Sequence, residues 1–154
     1  MYKFDAVSQV ILRLIHSADQ PLETAEILYL INKEIKVSRR IILARLHALK
    51  DADLINGRFM GPGKGVWVWW KKDSFKLPAD KIFAKKIDDK LISIINSSNI
   101  PLETKEIKDQ VPELSHAQVL RLLTTIWGDG VIKGKQVGSG KGVWVWWRLN
   151  AFEK

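Results

Sequence analysis

The chain has 154 residues, 46% hydrophobic and 27% charged, which is the balance of a folded globular protein. It has no cysteine, which excludes disulfides and thiolate metal sites. It also has no apolar run long enough to cross a bilayer, and Met1-Tyr2-Lys3-Phe4 does not begin a signal peptide. We therefore expect a cytoplasmic protein without membrane insertion, associated with the nucleoid if its source is prokaryotic. The formal net charge of +8 favours a polyanionic partner, and a lysine-rich protein with no anionic partner is the alternative.

The first part of the chain predicts two helices joined by a short extended segment. Apolar residues at helical spacing predict a helix over residues 4–17. Pro21-Leu22 is expected to be extended, since proline disfavours a helical residue before it. Thr24 is expected to be the N-cap of a second helix that ends near Glu34.

A third helix and a β-hairpin follow. Ser38 is a predicted N-cap for a helix over residues 39–51. Residues 54–60 and 66–72 then read as strands on either side of the glycine-rich turn at 61–65. Helix, short strand, helix, helix, strand, strand is the order of a winged helix-turn-helix, in which the hairpin is the wing.

A tryptophan-rich run occurs twice. Gly61–Trp70 reads Gly-Pro-Gly-Lys-Gly-Val-Trp-Val-Trp-Trp, and it recurs as Gly138–Trp147 with Ser139 in place of Pro62. Two copies of so unusual a run indicate an internal duplication.

The repeat extends beyond this run. Pro-Leu-Glu-Thr occurs at 21–24 and again at 101–104, and the segment from Ser38 to Trp70 aligns without a gap on Ser115 to Trp147. We expect two domains, 1–75 and 79–154, joined by a short polar linker near Pro78. Each is large enough to fold alone, and we expect the two to superpose closely.

The second half repeats the elements of the first. Helices are predicted over 81–98, 104–111 and 116–127, and strands over 131–137 and 142–149. The predicted fold class is α+β: two tandem winged helix-turn-helix domains, each with three helices and a β-hairpin wing.

The wing sequence resembles those of ArsR-type and MarR-type winged-helix regulators. In those families the return strand typically reads Gly-basic-x-Val-Tyr-Tyr, and Gly65–Trp70 and Gly142–Leu149 are similar, with Trp146 and Trp147 at the tyrosine places. The resemblance implies a DNA-binding fold. The metal-ligand cysteines of many ArsR proteins and the long dimerisation helices of MarR proteins are missing, so the choice between monomer and homodimer stays open.

The tryptophan strands should have two different faces, since side chains alternate along a strand. Arg148 favours water and Leu149 does not, so the alternation predicts that Val143, Val145 and Trp147 point inward. By the repeat, Lys71 and four indoles should point outward: Trp67, Trp69, Trp144 and Trp146. Such indoles could stack on bases, dock the two domains, bind a protein, or be covered within this chain.

Basic and polar side chains on the third helices and wings make a candidate nucleic-acid contact set. Residues at the start of the second helix of a helix-turn-helix are those that reach a groove, and wing lysines lie over the backbone. The candidates are Arg39, Arg40, Arg45, Lys64, Lys71, His116, Gln118, Arg121, Lys141 and Arg148.

Other chemistries are not indicated. Lys64 and Lys141 are followed by glycine and a strand, whereas a phosphate-binding loop needs Ser or Thr opening a helix. The three histidines lie in different elements without ligand spacing, and no nucleophile has a matched base. We expect no metal, no cofactor and no enzymatic activity.

Two functions remain. The first is a double-stranded DNA-binding protein, either a transcription regulator or a chromatin-associated factor, that uses the third helix and wing of each unit. The alternative is a protein-interaction scaffold. The small tandem winged-helix subunit of the ESCRT machinery resembles this chain in the segment that links its two units, where a Trp-bearing strand is followed by basic residues, here Lys71-Lys72, and by a short linker with a proline, here Pro78, before the next helix. The net charge favours DNA; outward tryptophans would favour a protein partner.

Overall fold

The computed structural model describes residues 5–61, 65–75, 86–138 and 142–153. The chain divides into two compact units, Met1–Ser74 and Phe75–Lys154. Phe75 was expected to end the first domain, but it packs inside the second unit: its ring centroid lies 5.8 Å from that of Phe152.

The first unit begins with a helix whose cap is well formed. The Asp5 side chain accepts a hydrogen bond of 2.8 Å from the backbone N–H of Ser8, which satisfies one of the free donors at the start of the helix. The elements of the unit are α1 (Ala6–Ser17), β1 (Leu22–Glu23), α2 (Thr24–Ile31), α3 (Arg39–Asp51), β2 (Ile55–Met60) and β3 (Val66–Lys71).

The second unit has the same order of elements. Its elements are α4 (Lys86–Asn96), β4 (Leu102–Glu103), α5 (Thr104–Asp109), α6 (His116–Gly128), β5 (Ile132–Val137) and β6 (Val143–Arg148). The helices predicted over 39–51 and 116–127 are confirmed, with Ser38 and Ser115 as their N-caps.

Each unit has a three-stranded antiparallel sheet with the tryptophan strand in the middle. The strand orders are β1-β3-β2 and β4-β6-β5. Trp69 lies between Leu22 and Gly57, and Trp146 between Leu102 and Gly134. A central strand is paired on both edges, so neither tryptophan strand is an exposed edge within its own sheet.

Thr24 is not the N-cap of α2, contrary to the prediction. The N-cap is Glu23, whose backbone N–H donates to the Glu26 carboxylate at 2.9 Å in a capping box. The helix also ends at Ile31, earlier than Glu34. Thr24 is 1% exposed, and its hydroxyl has a different partner, described below.

The helices and sheet of each unit enclose one apolar core. In the first unit it includes Ile11, Ile27, Ile42, Leu46 and Trp69; in the second it includes Leu91, Ile107, Val119, Leu123 and Trp146. The described residues thus form a mixed α+β structure of six helices and two small antiparallel sheets, consistent with a winged-helix-like fold. The origin by duplication stays a prediction.

Candidate nucleic-acid interface

The prediction of one inward and one outward face on each tryptophan strand is only partly confirmed: Val145 and Trp147 are buried as expected, with Trp147 at 4% exposure, but the other face is not free. Trp69 and Trp146 were expected to point outward, but both are 0% exposed and belong to the cores. Trp67 and Trp144 are half-buried and pack against the same cores. Trp69 and Trp146 therefore cannot stack on a base or contact a partner in this conformation.

Each buried indole fits because a glycine and a threonine accommodate it. A Cβ on Gly57 would lie 2.4 Å from Trp69 Cε3, and a Cβ on Gly134 would lie 2.4 Å from Trp146 Cε3. The indole N–H of Trp69 donates to Thr24 Oγ1 at 3.0 Å. A buried polar group needs such a partner, which explains why a threonine is useful at this position.

The second unit repeats this arrangement, since Trp146 donates to Thr104 Oγ1 at 2.9 Å. The recurrence of Pro-Leu-Glu-Thr in the sequence thus has a structural meaning. Leucine and glutamate form the short strand that pairs with the tryptophan strand, glutamate caps the next helix, and threonine accepts from the indole.

Arg148 is buried, although its charge predicted that it would lie on the solvent side of the strand. It is 5% exposed, and its guanidinium donates at 2.7 Å to the carbonyl oxygen of Phe75 and at 3.3 Å to that of Asn96. The guanidinium carbon lies 5.2 Å from the Phe75 ring centroid, and burial lowers the pKa of Arg148 from its ordinary value. Arg148 is therefore occupied inside its own unit and is not a phosphate contact.

Lys71, at the matching position of β3, is also withdrawn from solvent, with 5% exposure. A cationic side chain in a strand does not have to lie in water, since its long stem packs on apolar neighbours while its head finds polar partners. The assignment of Lys71 to a nucleic-acid surface is wrong for the same reason as that of Arg148.

In the first unit the half-buried Trp67 belongs to an exposed aromatic surface. Its ring stacks on Trp69 with centroids 5.1 Å apart and planes at 16°. His47 of α3 meets it edge-on at 4.7 Å, and Phe59 of β2 lies 5.9 Å away at 59°. We call His47, Phe59 and Trp67 the aromatic ledge; Phe59 is its most exposed member at 47%.

The equivalent surface of the second unit is built differently. Trp144 stacks on Trp146 with centroids 5.1 Å apart, and Trp127 of α6 meets Trp144 at 5.5 Å and 60°. Trp127 is 43% exposed. Neither Phe59 nor Trp127 was singled out from the sequence. Phe59 could have been found from its position two residues after Gly57 on β2, because residues two apart lie on the same face of a strand. Gly57 pairs with Trp69, so Phe59 lies on the face of the sheet that carries Trp69.

The arginines of α3 have different surroundings. Arg39 and Arg40 are exposed at the start of the helix, as expected. Arg45 is half-buried, and its Nε donates to Asp5 Oδ2 at 2.7 Å. The pKa of Asp5 is held below its ordinary value first by the hydrogen bond from the Ser8 backbone and then by Arg45. Arg45 thus joins α3 to the start of α1.

In the second unit the candidate residues on α6 are exposed but carry less charge. His116, Gln118 and Arg121 all lie on the surface. The Gln118 side chain accepts a hydrogen bond of 2.9 Å from the Ser115 backbone N–H, so part of its hydrogen-bonding capacity completes the helix cap. The wing lysines Lys64 and Lys141 lie outside the described residues.

The described part of the chain has neither a metal-ligand cluster nor a membrane-spanning helix. It contains no group of three His, Cys, Asp or Glu residues that could hold a metal ion. None of its helices has the length and apolar character needed to span a membrane.

Comparison with known proteins gives a likeness in structure alone, and it is weak. No family model matches the chain, and no curated protein matches it. Among solved structures, it is similar to a chain of the Nse1-Nse3-Nse4 complex, with 15% identity and a TM-score of 0.34; the alignment covers 96% of this chain and 81% of the other. Values this low carry no argument about function.

Proposed function

We propose that the chain binds double-stranded DNA through a pair of winged helix-turn-helix units, without enzymatic activity, and that α3 of the first unit makes the principal contact. The observation that carries the proposal is the exposed pair Arg39 and Arg40 at the start of α3. In a helix-turn-helix it is the N-terminal part of the second helix that approaches the base edges.

The placement of α3 supports this function. Its inner face is held in the core by Ile42, Leu46 and Leu49, each 0% exposed, which leaves the opposite face with the solvent. The free backbone donors and the partial positive charge at a helix N-terminus add to the attraction that two guanidinium groups exert on phosphate. The first unit, residues 1–74, carries 12 basic and 8 acidic side chains, a net charge of +4.

The second unit would contribute hydrogen bonds more than charge. Its residues 75–154 carry 13 basic and 9 acidic side chains, a net charge of +4 equal to that of the first unit, but α6 presents His116, Gln118 and Arg121 where α3 presents arginines. We therefore expect the first unit to contribute most of the affinity and the second unit to contribute mainly to the size of the site.

Fluorescence anisotropy with a labelled blunt duplex, measured at several salt concentrations, tests the proposal. Each phosphate contact contributes about −0.9 to the slope of log K against log salt, so Arg39→Ala or Arg40→Ala should make the slope shallower by about 0.9 if the residue contacts phosphate. If it contacts a base edge, the cost is about 1–3 kcal/mol and sequence preference is relaxed.

A matched control is Arg13→Ala, which removes the same charge from an exposed arginine of α1 that pairs with Glu34. It should leave affinity almost unchanged. If the three variants weaken binding equally, the interaction depends only on net charge. If the protein does not bind duplex DNA even at low salt, the proposal is wrong.

A protein-interaction scaffold is the second candidate, and one observation favours it. The ring of Trp127 is 43% exposed and lies against Trp144. Exposed tryptophans are frequent anchors in protein interfaces. A chain that fails to bind DNA but binds a partner protein in a manner lost in Trp127→Ala would support this function instead.

A further inference from the structure

The aromatic ledge of the first unit is held in one orientation. A Cβ on Gly65 would lie 2.3 Å from Phe59 Cζ, so the ring of Phe59 lies across the backbone of the wing. Its ring centroid lies 5.9 Å from that of Trp67, which is itself stacked on the buried Trp69 and contacted by His47, and the Phe59 side chain stays 47% exposed. A ring fixed in this way loses little conformational freedom on binding, which favours affinity.

Cationic side chains flank the ledge. His47 is its member on α3, with Arg40 at i−7 and Lys50 at i+3 along the same helix. With a rise of 1.5 Å per residue, these lie about 10 Å before and about 4.5 Å after His47, on neighbouring sides of the helix. Arg40 is exposed and Lys50 is half-buried.

The nearest carboxylates in sequence lie at the C-terminal end of α3, beside Lys50. These are Asp51 and Asp53, and Asp53 pairs with Lys72. Asp51, at i+4 from His47, offsets the half-buried Lys50, so the exposed Arg40 is the cation of α3 that favours an anionic partner.

The inference rests on the proposed DNA-binding function and adds a substrate class to it. We propose that the aromatic ledge stacks an unpaired base of a DNA strand that continues beyond the duplex bound by α3. The bases of an intact duplex are covered by their neighbours, so an exposed ring gains a stacking partner only from an unpaired base. Stacking on aromatic side chains combined with cations along the backbone is the usual way in which single strands are bound.

The described residues of the second unit do not form an equivalent aromatic ledge beside a cation. In the repeat, Trp127 occupies the place of Lys50 and Gln136 the place of Phe59. Its aromatic surface therefore lacks the neighbouring lysine on the helix and the exposed ring on the wing. The stacking site is specific to the first unit.

The test compares a blunt duplex with the same duplex carrying a short single-stranded overhang, at either the 5′ or the 3′ end. Removing one base-stacking ring costs about 1–3 kcal/mol, so the protein should bind one overhang duplex at least about fivefold more tightly than the blunt one. Phe59→Ala should abolish this difference and leave binding to the blunt duplex unchanged.

Tyr29→Ala is the matched control. Its ring is 66% exposed and has a cationic neighbour, with Lys33 Nζ at 4.7 Å from the ring centroid, but it lies on α2 outside the ledge. This variant should keep the preference for the overhang. Phe59→Leu retains an apolar side chain of similar size without the aromatic ring, and it should lose the preference while keeping the thermal stability of the protein.

Three results would overturn the inference. These are equal affinity of the wild type for blunt and overhang duplexes, equal weakening of both by Phe59→Ala, and retention of the preference by Phe59→Leu. In each case blunt-duplex binding itself still supports the proposed function. Failure to bind either DNA would instead refute both.

Discussion

Replacing Gly134 by alanine tests how the tryptophan strand packs on its own unit. Gly134 lies opposite Trp146 in the antiparallel pair β5–β6. A Cβ at this position would lie 2.4 Å from Cε3 and 2.6 Å from Cζ3 of the Trp146 ring. Ordinary contacts of this kind are about 3.4–4 Å, so either the ring or the strand must move.

Whether Gly134→Ala raises or lowers the free energy of unfolding distinguishes an open position from a crowded one. Glycine inside a strand is destabilising by about 0.5–1 kcal/mol relative to alanine, so at an open position the substitution would stabilise the protein. Here the ring has little freedom to move, because it is fully buried and its N–H donates to Thr104. Overpacking costs about 1–3 kcal/mol. We expect a net loss of about 1–2 kcal/mol in the free energy of unfolding.

Urea denaturation followed by far-UV circular dichroism measures this loss as a lower midpoint at an unchanged slope. The control is Gly128→Ala at the end of α6, where an added Cβ would meet nothing within 4 Å. That variant should be neutral or more stable, because alanine favours the helix. A Gly134→Ala protein as stable as the wild type would show that Trp146 does not lie over β5.

Two further predictions concern stability. Trp146→Ala should lower the free energy of unfolding by about 3–5 kcal/mol, which is much of the stability of a small unit, and Trp144→Ala should lower it less because Trp144 is only half-buried. Thermal melts compare the two variants, and a larger loss of stability in Trp144→Ala would contradict the inward position of Trp146. Asp5, whose pKa is lowered by the Ser8 backbone and Arg45, should stabilise the fold above its unfolded pKa of about 3.9 and lose that contribution as the pH falls through its lower folded value. Urea midpoints of the wild type and Asp5→Asn should therefore differ at pH 7 and converge in acid; a constant difference would show that the carboxylate charge is not responsible.

Local signals in the sequence determined where the elements lie. Ser38 and Ser115 could be recognised as caps because a serine hydroxyl just before a helical pattern can accept from the free N–H groups of the first turn, and the bounds of α3 and α6 follow from that. The strands Val66–Lys71 and Val143–Arg148 follow from alternating β-branched and aromatic residues bounded by glycine. The exposed positions of Arg39 and Arg40 follow from the helical period.

Tertiary structure decided which face of each tryptophan strand points to the helices. Alternation separates Trp67 and Trp69 from Val68 and Trp70, but it does not say which pair is inside. Hydrophobicity could not decide either, because Val68, Trp69 and Trp70 are all buried.

The charge at the end of the strand was a misleading guide. Two guanidinium nitrogens of Arg148 donate to carbonyl groups that are distant in the sequence, so its position is set by those partners and not by the solvent. The aromatic ledge was equally inaccessible to sequence reasoning, because it combines side chains from α3, β2 and β3 that only the strand register and the packing of α3 bring together.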